Sequence, residues 1–207
     1  MHMQTFLHKL LDSPSIYTLA QSVLAPGAEK RIAQKLTALA ERVPNSARLL
    51  DLGCGPCSWL WKLGWQPVGL DLSHQYSRVF IEKGRSAVTG SCCALPFADN
   101  SFDGVWTIGV LHHLSDQKVR KTVSEMLRVC RSDGYVVVMD AVMPPSAWKK
   151  PLPYVIRKLD RGIHMRTQEQ LESLLPASIP KSIKRYTYSL TGLEMLECVW
   201  RSASRGS

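Results

Sequence analysis

Residues 49–55 have the sequence LLDLGCG, an apolar strand that ends in an acid and breaks into glycines. A second acid, Asp71, follows Asp51 by twenty residues and closes the apolar run PVGL at residues 67–70. Glycines at the end of a first parallel strand allow the backbone to approach a ligand closely, and an acid that ends the second strand can accept both hydroxyls of a ribose. The spacing therefore predicts a nucleoside pocket.

Two features of this stretch argue against a dinucleotide. A pyrophosphate site uses a third glycine and free backbone N–H groups at a helix N-terminus, whereas this chain has Ser58 at the glycine position and Pro56, which lacks an N–H. Asp51, close to the first glycine, would repel a pyrophosphate and attract a cation. S-adenosylmethionine carries a ribose, an ammonium and a sulfonium but no phosphate, so the residues favour it as the cofactor.

Five short motifs follow one another along the chain: DLGCG at 51–55, GLDLS at 69–73, ALPFADNSFD at 94–103, VLHHL at 110–114 and LRVCRSDG at 127–134. In this order and spacing they resemble the class I S-adenosylmethionine-dependent methyltransferases. The core is similar to the quinone-biosynthesis C-methyltransferases and to natural-product O-methyltransferases. The resemblance implies a Rossmann-like, doubly wound α/β fold and methyl transfer.

The same resemblance implies where the cofactor binds. The DLGCG motif would line the methionine and ribose portions, Asp71 would take the ribose hydroxyls, and the residues after the fourth strand would lie beside the methionine. In this family an acid commonly follows Gly90 and reaches the adenine amino group, whereas this chain has serine and cysteine there. The predicted cofactor residues are Asp51, Gly53, Cys54, Gly55, Asp71, Leu72, Ser91, Cys92, Ile108 and Gly109.

The length and composition of the chain fit one domain. Of its 207 residues, 45% are apolar, which is enough for a core. No run approaches the roughly 18 consecutive apolar residues that suggest a membrane span. We expect a single methyltransferase domain over residues 1–207: a helical lid at 1–47, a cofactor-binding core at 48–141, and a substrate cap with a C-terminal hairpin at 142–207.

The six cysteines suggest a second interpretation that the surrounding residues disfavour. The sequence CGPC at 54–57 is that of a thioredoxin redox site. A redox motif lies at a helix start with an activated first thiol, whereas Cys54 lies between two glycines of a loop. No second Cys/His pair stands at zinc-ligand spacing, so no metal is expected. Without a secretion signal, the cysteines favour reduced thiols in a cytoplasmic protein.

The net charge of +9 is unevenly distributed. Residues 1–141 hold 15 basic and 12 acidic side chains, and residues 142–207 hold 11 and 5. A basic cap favours an anionic or phosphate-bearing acceptor, a membrane surface or RNA, with a merely solvated surface as the alternative. Because no RNA-binding module is recognisable, we expect a small-molecule acceptor, anionic or lipid-like, and leave peripheral membrane contact open. RNA methylation and a binding protein without chemistry remain the alternatives.

The alternation of strand and helix patterns from residue 48 predicts a parallel sheet covered on both faces. Its strands are expected near 48–52, 67–71, 86–91, 103–108 and 134–141. By family resemblance, an antiparallel pair at 183–190 and 194–200 completes a mostly parallel seven-stranded sheet. Apolar periodicity predicts three helices before residue 48, which cover one face of the sheet or form a lid. A capping box at 167–170 predicts another short helix.

Three residues at the ends of strands are candidate bases. Methyl transfer chiefly requires that the acceptor be held in line with the methyl group, and a base is needed only if the nucleophile arrives protonated. Ligands of open α/β sheets bind at the carboxyl ends of the strands, where His112, His113 and Asp140 are expected. A structural hydrogen-bonding role is the alternative for each histidine, and a capping role for Asp140.

Four residues outside the core are candidates for contact with the substrate. Tyr17 would close over the cofactor or pack in an apolar face. His164 in the cap is a further candidate base. Arg161 and Arg166 would receive an anionic acceptor through their guanidinium groups, or would form an internal salt-bridge set that pins the cap to the sheet.

Overall fold

The computed structural model describes residues 25–40, 46–159, 163–179 and 181–201. Within these residues seven strands form one sheet: β1 (Leu49–Leu52), β2 (Val68–Asp71), β3 (Ala87–Thr89), β4 (Phe102–Ile108), β5 (Cys130–Val142), β6 (Lys181–Thr187) and β7 (Glu194–Arg201). The helices are α1 (Ala28–Ala40), α2 (Trp59–Lys62), α3 (His74–Glu82), α4 (Asp116–Val129), α5 (Pro151–Lys158) and α6 (Gln168–Glu172), with a 3-10 turn at Leu111–His113.

The strands lie in the order β3-β2-β1-β4-β5-β7-β6. Strands β1 to β5 run parallel, and β7 is antiparallel to both β5 and β6. The order reverses between β1 and β4, which is the point where open α/β sheets bind ligands. The predicted fold, a mostly parallel seven-stranded sheet with a C-terminal antiparallel pair, is confirmed.

Strand β5 shows how the sheet is buried on both faces. Val136 and Val138 pack in one core cluster together with the apolar side of α4. Val137 and Met139 point the other way and pack in a second cluster with Leu36 of α1. Alternate residues of one continuous apolar run therefore serve two cores, which is the pattern of a central strand covered on both faces.

Several predicted strand boundaries differ from the structure: β6 spans Lys181–Thr187 instead of residues 183–190, and β3 spans Ala87–Thr89 instead of residues 86–91. Strand β5 begins at Cys130 instead of residue 134, because Cys130 pairs with Phe102 of β4 while α4 ends at Val129. Gly134 permits this course, since a Cβ there would lie 2.7 Å from the Asp103 carbonyl oxygen. In the predicted cap, α5 begins at Pro151, as proline favours the first helical turn.

The predicted lid is described only from residue 25. Helix α1 packs with Ile32, Leu36 and Leu39 against the sheet, so it takes the covering role that the sequence allowed. The two earlier predicted helices lie outside the described residues. The capping box at Thr167 is confirmed, with reciprocal hydrogen bonds between Thr167 and Gln170. Among the residues that the structure describes, no helix has the length and apolar character to cross a bilayer.

Candidate active site

The loop after β1 forms a glycine cradle against the end of β2. The N–H groups of Gly53 and Cys54 donate to the Leu70 carbonyl, at 2.7 and 3.2 Å. Gly53 adopts φ +71°, and a Cβ there would clash with the side chain of Val110, so only glycine fits. At Gly55, with φ +58°, a Cβ would meet no atom within 4 Å. The open space beside this backbone is what a closely bound ligand requires.

Asp71 lies at the carboxyl end of β2, beside this open space. Its carboxylate accepts hydrogen bonds from the N–H groups of Gly55 at 3.0 Å and Ser73 at 2.8 Å, one on each oxygen. A carboxylate has about four acceptor positions, so each oxygen keeps one for a ligand. The half-buried Asp71 is therefore held rigidly and can accept two hydroxyls of a ribose.

Asp51 is the second acid of the pocket and is almost completely buried. The Ser58 hydroxyl donates to it at 2.5 Å and also accepts from the Leu60 N–H, which caps α2. Burial raises the pKa of Asp51 to about 7, with the Ser58 hydrogen bond opposing and the Asp71 charge adding to the increase. With a pKa near 7 the carboxyl group is partly protonated at neutral pH, and a cation near it would favour the ionised form.

Sequence reasoning noted Ser58 only as a replacement for the third glycine of a dinucleotide site. In the structure Ser58 links the start of α2 to Asp51. A serine directly before an apolar helical run is a typical N-cap, and that signal was present in the sequence.

On the adenine side, the structure separates the predicted residues. Leu72 exposes most of its side chain next to Asp71. The Ser91 hydroxyl accepts from the Cys93 N–H at 3.2 Å. The Cys92 sulfur accepts from the Thr122 hydroxyl of α4 at 3.3 Å. The Cys92 side chain is thus directed to the core, and only its backbone remains as a candidate adenine contact.

Asp140, predicted as a candidate base, is buried at the end of β5 and is fully engaged. Its carboxylate accepts from the Nδ1 of His112 at 2.5 Å, from the backbone N–H of Ala141 at 2.7 Å, and from the N–H groups of Leu111 and His112. Burial alone would raise the pKa of Asp140, but the interaction with the His112 imidazole and the backbone hydrogen bonds lower it overall. The lowered pKa and these contacts favour an ionised Asp140 that orients the His112 ring over an Asp140 that accepts a proton.

His112 is held against the cofactor side of the site. Its ring carbon Cε1 lies 3.9 Å from the position of a Cβ on Gly109, the residue predicted to border the methionine. Gly109 adopts φ +70° and its N–H donates to the Met139 carbonyl at 2.8 Å, so β4 turns sharply here. The ring of His113 lies 4.1 Å from that of His112, measured between centroids, and His113 is exposed.

Arg166 has the structural role that the sequence left open, and not the predicted contact with an acceptor. Its guanidinium donates to the carbonyls of Leu111, Leu114 and His164, and twice to Asp116 Oδ1 at 2.7 and 2.9 Å. These bonds use all five N–H groups of an arginine, so none is left for a substrate. Arg166 pins the cap segment to the loop that carries His112.

The remaining predicted residues have varied outcomes. The His164 N–H donates to the His112 carbonyl at 3.0 Å, which places the cap segment beside the loop that carries His112. Tyr17 and Arg161 lie outside the described residues. Cys54 is buried and burial strongly raises the pKa of its thiol, while Cys57 is exposed, an environment unlike that of an activated redox pair. No group of three or more metal-ligating side chains occurs in the part of the chain that the structure describes.

Residues 50–138 match the family model of a methyltransferase domain. Over this segment the chain is similar to the class I S-adenosylmethionine-dependent methyltransferases. A tRNA (carboxymethyluridine(34)-5-O)-methyltransferase of Arabidopsis thaliana is 32% identical over 109 residues, which cover 50% of this chain and 26% of that protein. A demethylmenaquinone methyltransferase of Roseiflexus castenholzii is 34% identical over 110 residues, 49% of this chain and 45% of the relative. This methyltransferase thus spans less than half the length of these two relatives.

A solved structure from Thermotoga maritima has the same fold as this methyltransferase. That protein is described as a methyltransferase dependent on S-adenosylmethionine and a possible histamine N-methyltransferase. The two superpose with a TM-score of 0.69 at 15% identity, covering 94% of this chain and 98% of the other.

Proposed function

We propose that this methyltransferase transfers a methyl group from S-adenosylmethionine to a small-molecule acceptor that is anionic or lipid-like. One observation carries the proposal: the Asp71 carboxylate, fixed by Gly55 and Ser73, keeps two acceptor positions beside an open glycine cradle. This is the geometry for a ribose without a phosphate, because no glycine-rich helix start follows to hold a pyrophosphate.

The residues present fit the cofactor along its whole length. Asp71 would accept the ribose hydroxyls, and the backbone at 53–55 would approach the methionine portion. The carboxylate of Asp51 would supply negative charge for the ammonium group. Leu72 and the backbone at Cys92 would border the adenine. When bound, S-adenosylmethionine supplies an electrophilic methyl group on a sulfonium.

His112 is the base that the geometry favours for an acceptor that arrives protonated. Asp140 hydrogen-bonds Nδ1 and fixes the ring beside Gly109, so Nε2 is the nitrogen that would take the proton. Because a general base contributes about 10²- to 10⁴-fold, His112→Gln should lower kcat within that range while cofactor affinity stays close to that of the parent. His113, exposed beside it, provides the matched variant, and His113→Gln should reduce kcat much less.

RNA methylation is the second candidate function. It is supported by the similarity of the core to a tRNA methyltransferase and by the basic surplus after residue 142. The similarity covers 109 residues, half of this chain and about a quarter of the relative, so it gives weaker support for the acceptor than for the methyltransferase domain.

A transfer assay with S-adenosylmethionine labelled in its methyl group tests the proposal. The label should enter a lipid-soluble or small anionic fraction of a cell extract, and should fail to do so with His112→Gln. Label in purified RNA would favour the second candidate. Cofactor binding without transfer to any fraction would favour a binding protein that keeps the fold.

A further inference from the structure

Helix α5 has two faces of different character. The inward face packs on the sheet: Pro153 and Arg157 are buried, and Ile156 packs against the core cluster that contains Leu36. Arg157 also donates to the Glu194 carbonyl at 2.9 Å. The helix is therefore fixed in place, and its outward face has a defined position on the surface.

The outward face of α5 is apolar and exposed. Leu152 and Val155 are more than half exposed, Leu159 is 79% exposed, and Trp148, just before the helix, is 96% exposed. We call these four residues the α5 stripe. Leu152, Val155 and Leu159 are spaced i, i+3, i+7 and so lie on one side of the helix. Contiguous exposed apolar surface of this kind marks an interaction site.

Basic residues flank the α5 stripe. Lys149 and Lys158 are exposed, and the sequence from residue 144 to 166 has six basic residues and one acid. Tryptophan and leucine with flanking lysines are typical of segments that lie in the interface of an anionic bilayer. In a twofold dimer through this face, the basic surplus of one copy would lie against the basic surplus of the other, which is unfavourable.

The helix leads from this surface to the acceptor side of the site. After α5 the chain reaches His164, whose N–H bonds the His112 carbonyl, and Arg166, whose carbonyl accepts from the Met143 N–H at 2.8 Å. We propose that the α5 stripe docks this methyltransferase on an anionic lipid surface, with the acceptor side of the site towards the bilayer. The statement about the acceptor side rests on the proposed function, whereas docking itself does not.

Vesicle flotation of the full chain tests the docking. The vesicles are phosphatidylcholine alone and an equimolar mixture of phosphatidylcholine and phosphatidylglycerol. One double variant removes apolar contact, Trp148→Ser with Leu159→Ser, and another reverses charge, Lys149→Glu with Lys158→Glu. The matched control is Ile81→Ser, a side chain 55% exposed on α3 at the opposite edge of the sheet.

We expect the parent and Ile81→Ser to float with the mixed vesicles and much less with the neutral ones. The apolar double variant should lose binding by about tenfold or more, because each buried leucine-sized side chain contributes on that scale. The charge-reversal variant should lose its preference for the anionic vesicles. Melting temperatures should stay close to that of the parent, since all four substituted side chains are exposed or flank the helix.

Three results would overturn the proposal: no flotation of the parent, equal flotation of the parent and both double variants, or self-association in solution that Leu159→Ser abolishes. Retention on bulk tRNA that the charge reversal removes, without vesicle binding, would assign the surface to RNA instead. Titration of the apolar double variant with S-adenosylhomocysteine separates the two claims. Parental affinity there, together with the expected loss of vesicle binding, would support docking that is independent of the cofactor site. Binding of S-adenosylhomocysteine by a parent that does not float would reject the docking and leave the proposed function intact.

Discussion

Arg166→Ala should lower the stability of the protein strongly and change its affinity for the cofactor little, because Arg166 holds the cap to the loop that carries His112. The guanidinium bonds three carbonyls, those of Leu111, Leu114 and His164, which are left without a donor after truncation. At about 1 to 1.5 kcal/mol net for each bond, the loss is about 3 to 5 kcal/mol. The ion pair adds little, because the Asp116 side chain is 71% exposed. For a chain of this size the melting temperature should fall by about 6 to 20 °C.

Differential scanning calorimetry of three variants measures this effect. Arg166→Ala should show the full loss, and Arg166→Lys most of it, because one ammonium cannot reach the positions of three nitrogens. Asp116→Asn, the control for the ion pair, should lose no more than about 1 kcal/mol. An unchanged melting temperature in Arg166→Ala, together with a raised KM for an anionic acceptor, would refute the structural role and restore the substrate role.

The remaining predictions concern the cofactor pocket. Burial raises the pKa of Asp51 to about 7, and a cationic ligand favours the ionised carboxylate. The affinity for S-adenosylmethionine should therefore increase about eightfold from pH 6 to pH 7.5. Calorimetric titration of Asp51→Asn should show no such increase. The raised pKa also predicts how Asp51 affects the stability of the free protein. Its contribution to the free energy of unfolding is largest below about pH 4 and is lost as the pH rises through about 7. Urea unfolding of the parent and of Asp51→Asn at several pH values measures this contribution. Gly53→Ala should lower the free energy of unfolding more than Gly64→Ala does. Both glycines have positive φ, so alanine costs about 1 to 2 kcal/mol at either position. A Cβ at Gly53 would also clash with Val110, whereas one at Gly64 would meet no atom within 4 Å. Equal unfolding free energies for the two variants would contradict the proposed tight fit of the cradle.

The sequence predicted the elements whose signals are local. The DLGCG loop, the acid that ends β2 and the capping box at Thr167 each depend on residues within a few positions of one another, and each occurs as expected in the structure. The mostly parallel seven-stranded sheet with its antiparallel C-terminal pair was expected by resemblance to the family, whereas the order of the strands in the sheet comes from the structure.

The roles of Asp140 and Arg166 depend on contacts that span the chain. Asp140 meets His112 across 28 residues, and Arg166 meets Leu111 across 55. Sequence patterns placed Asp140 and His112 at the strand ends correctly. They did not show whether Asp140 takes a proton or orients a histidine, because that depends on how many donors surround the carboxylate. The start of β5 at Cys130, four residues before the predicted start, also depends on a contact distant in sequence. Cys130 pairs with Phe102 of β4, and this pairing is not visible in the local sequence pattern.

The most direct test of the central claim is calorimetric titration of the parent and of Asp71→Ala with S-adenosylmethionine, with S-adenosylhomocysteine as the demethylated control. We expect the parent to bind both compounds and Asp71→Ala to bind them more weakly, by about 1.5 to 3 kcal/mol for each ribose hydrogen bond lost to the charged group. The melting temperature should fall modestly, because Asp71 also accepts from the N–H groups of Gly55 and Ser73. Absence of binding by the parent, or equal affinity of the parent and Asp71→Ala, would contradict the assignment of this pocket to the cofactor.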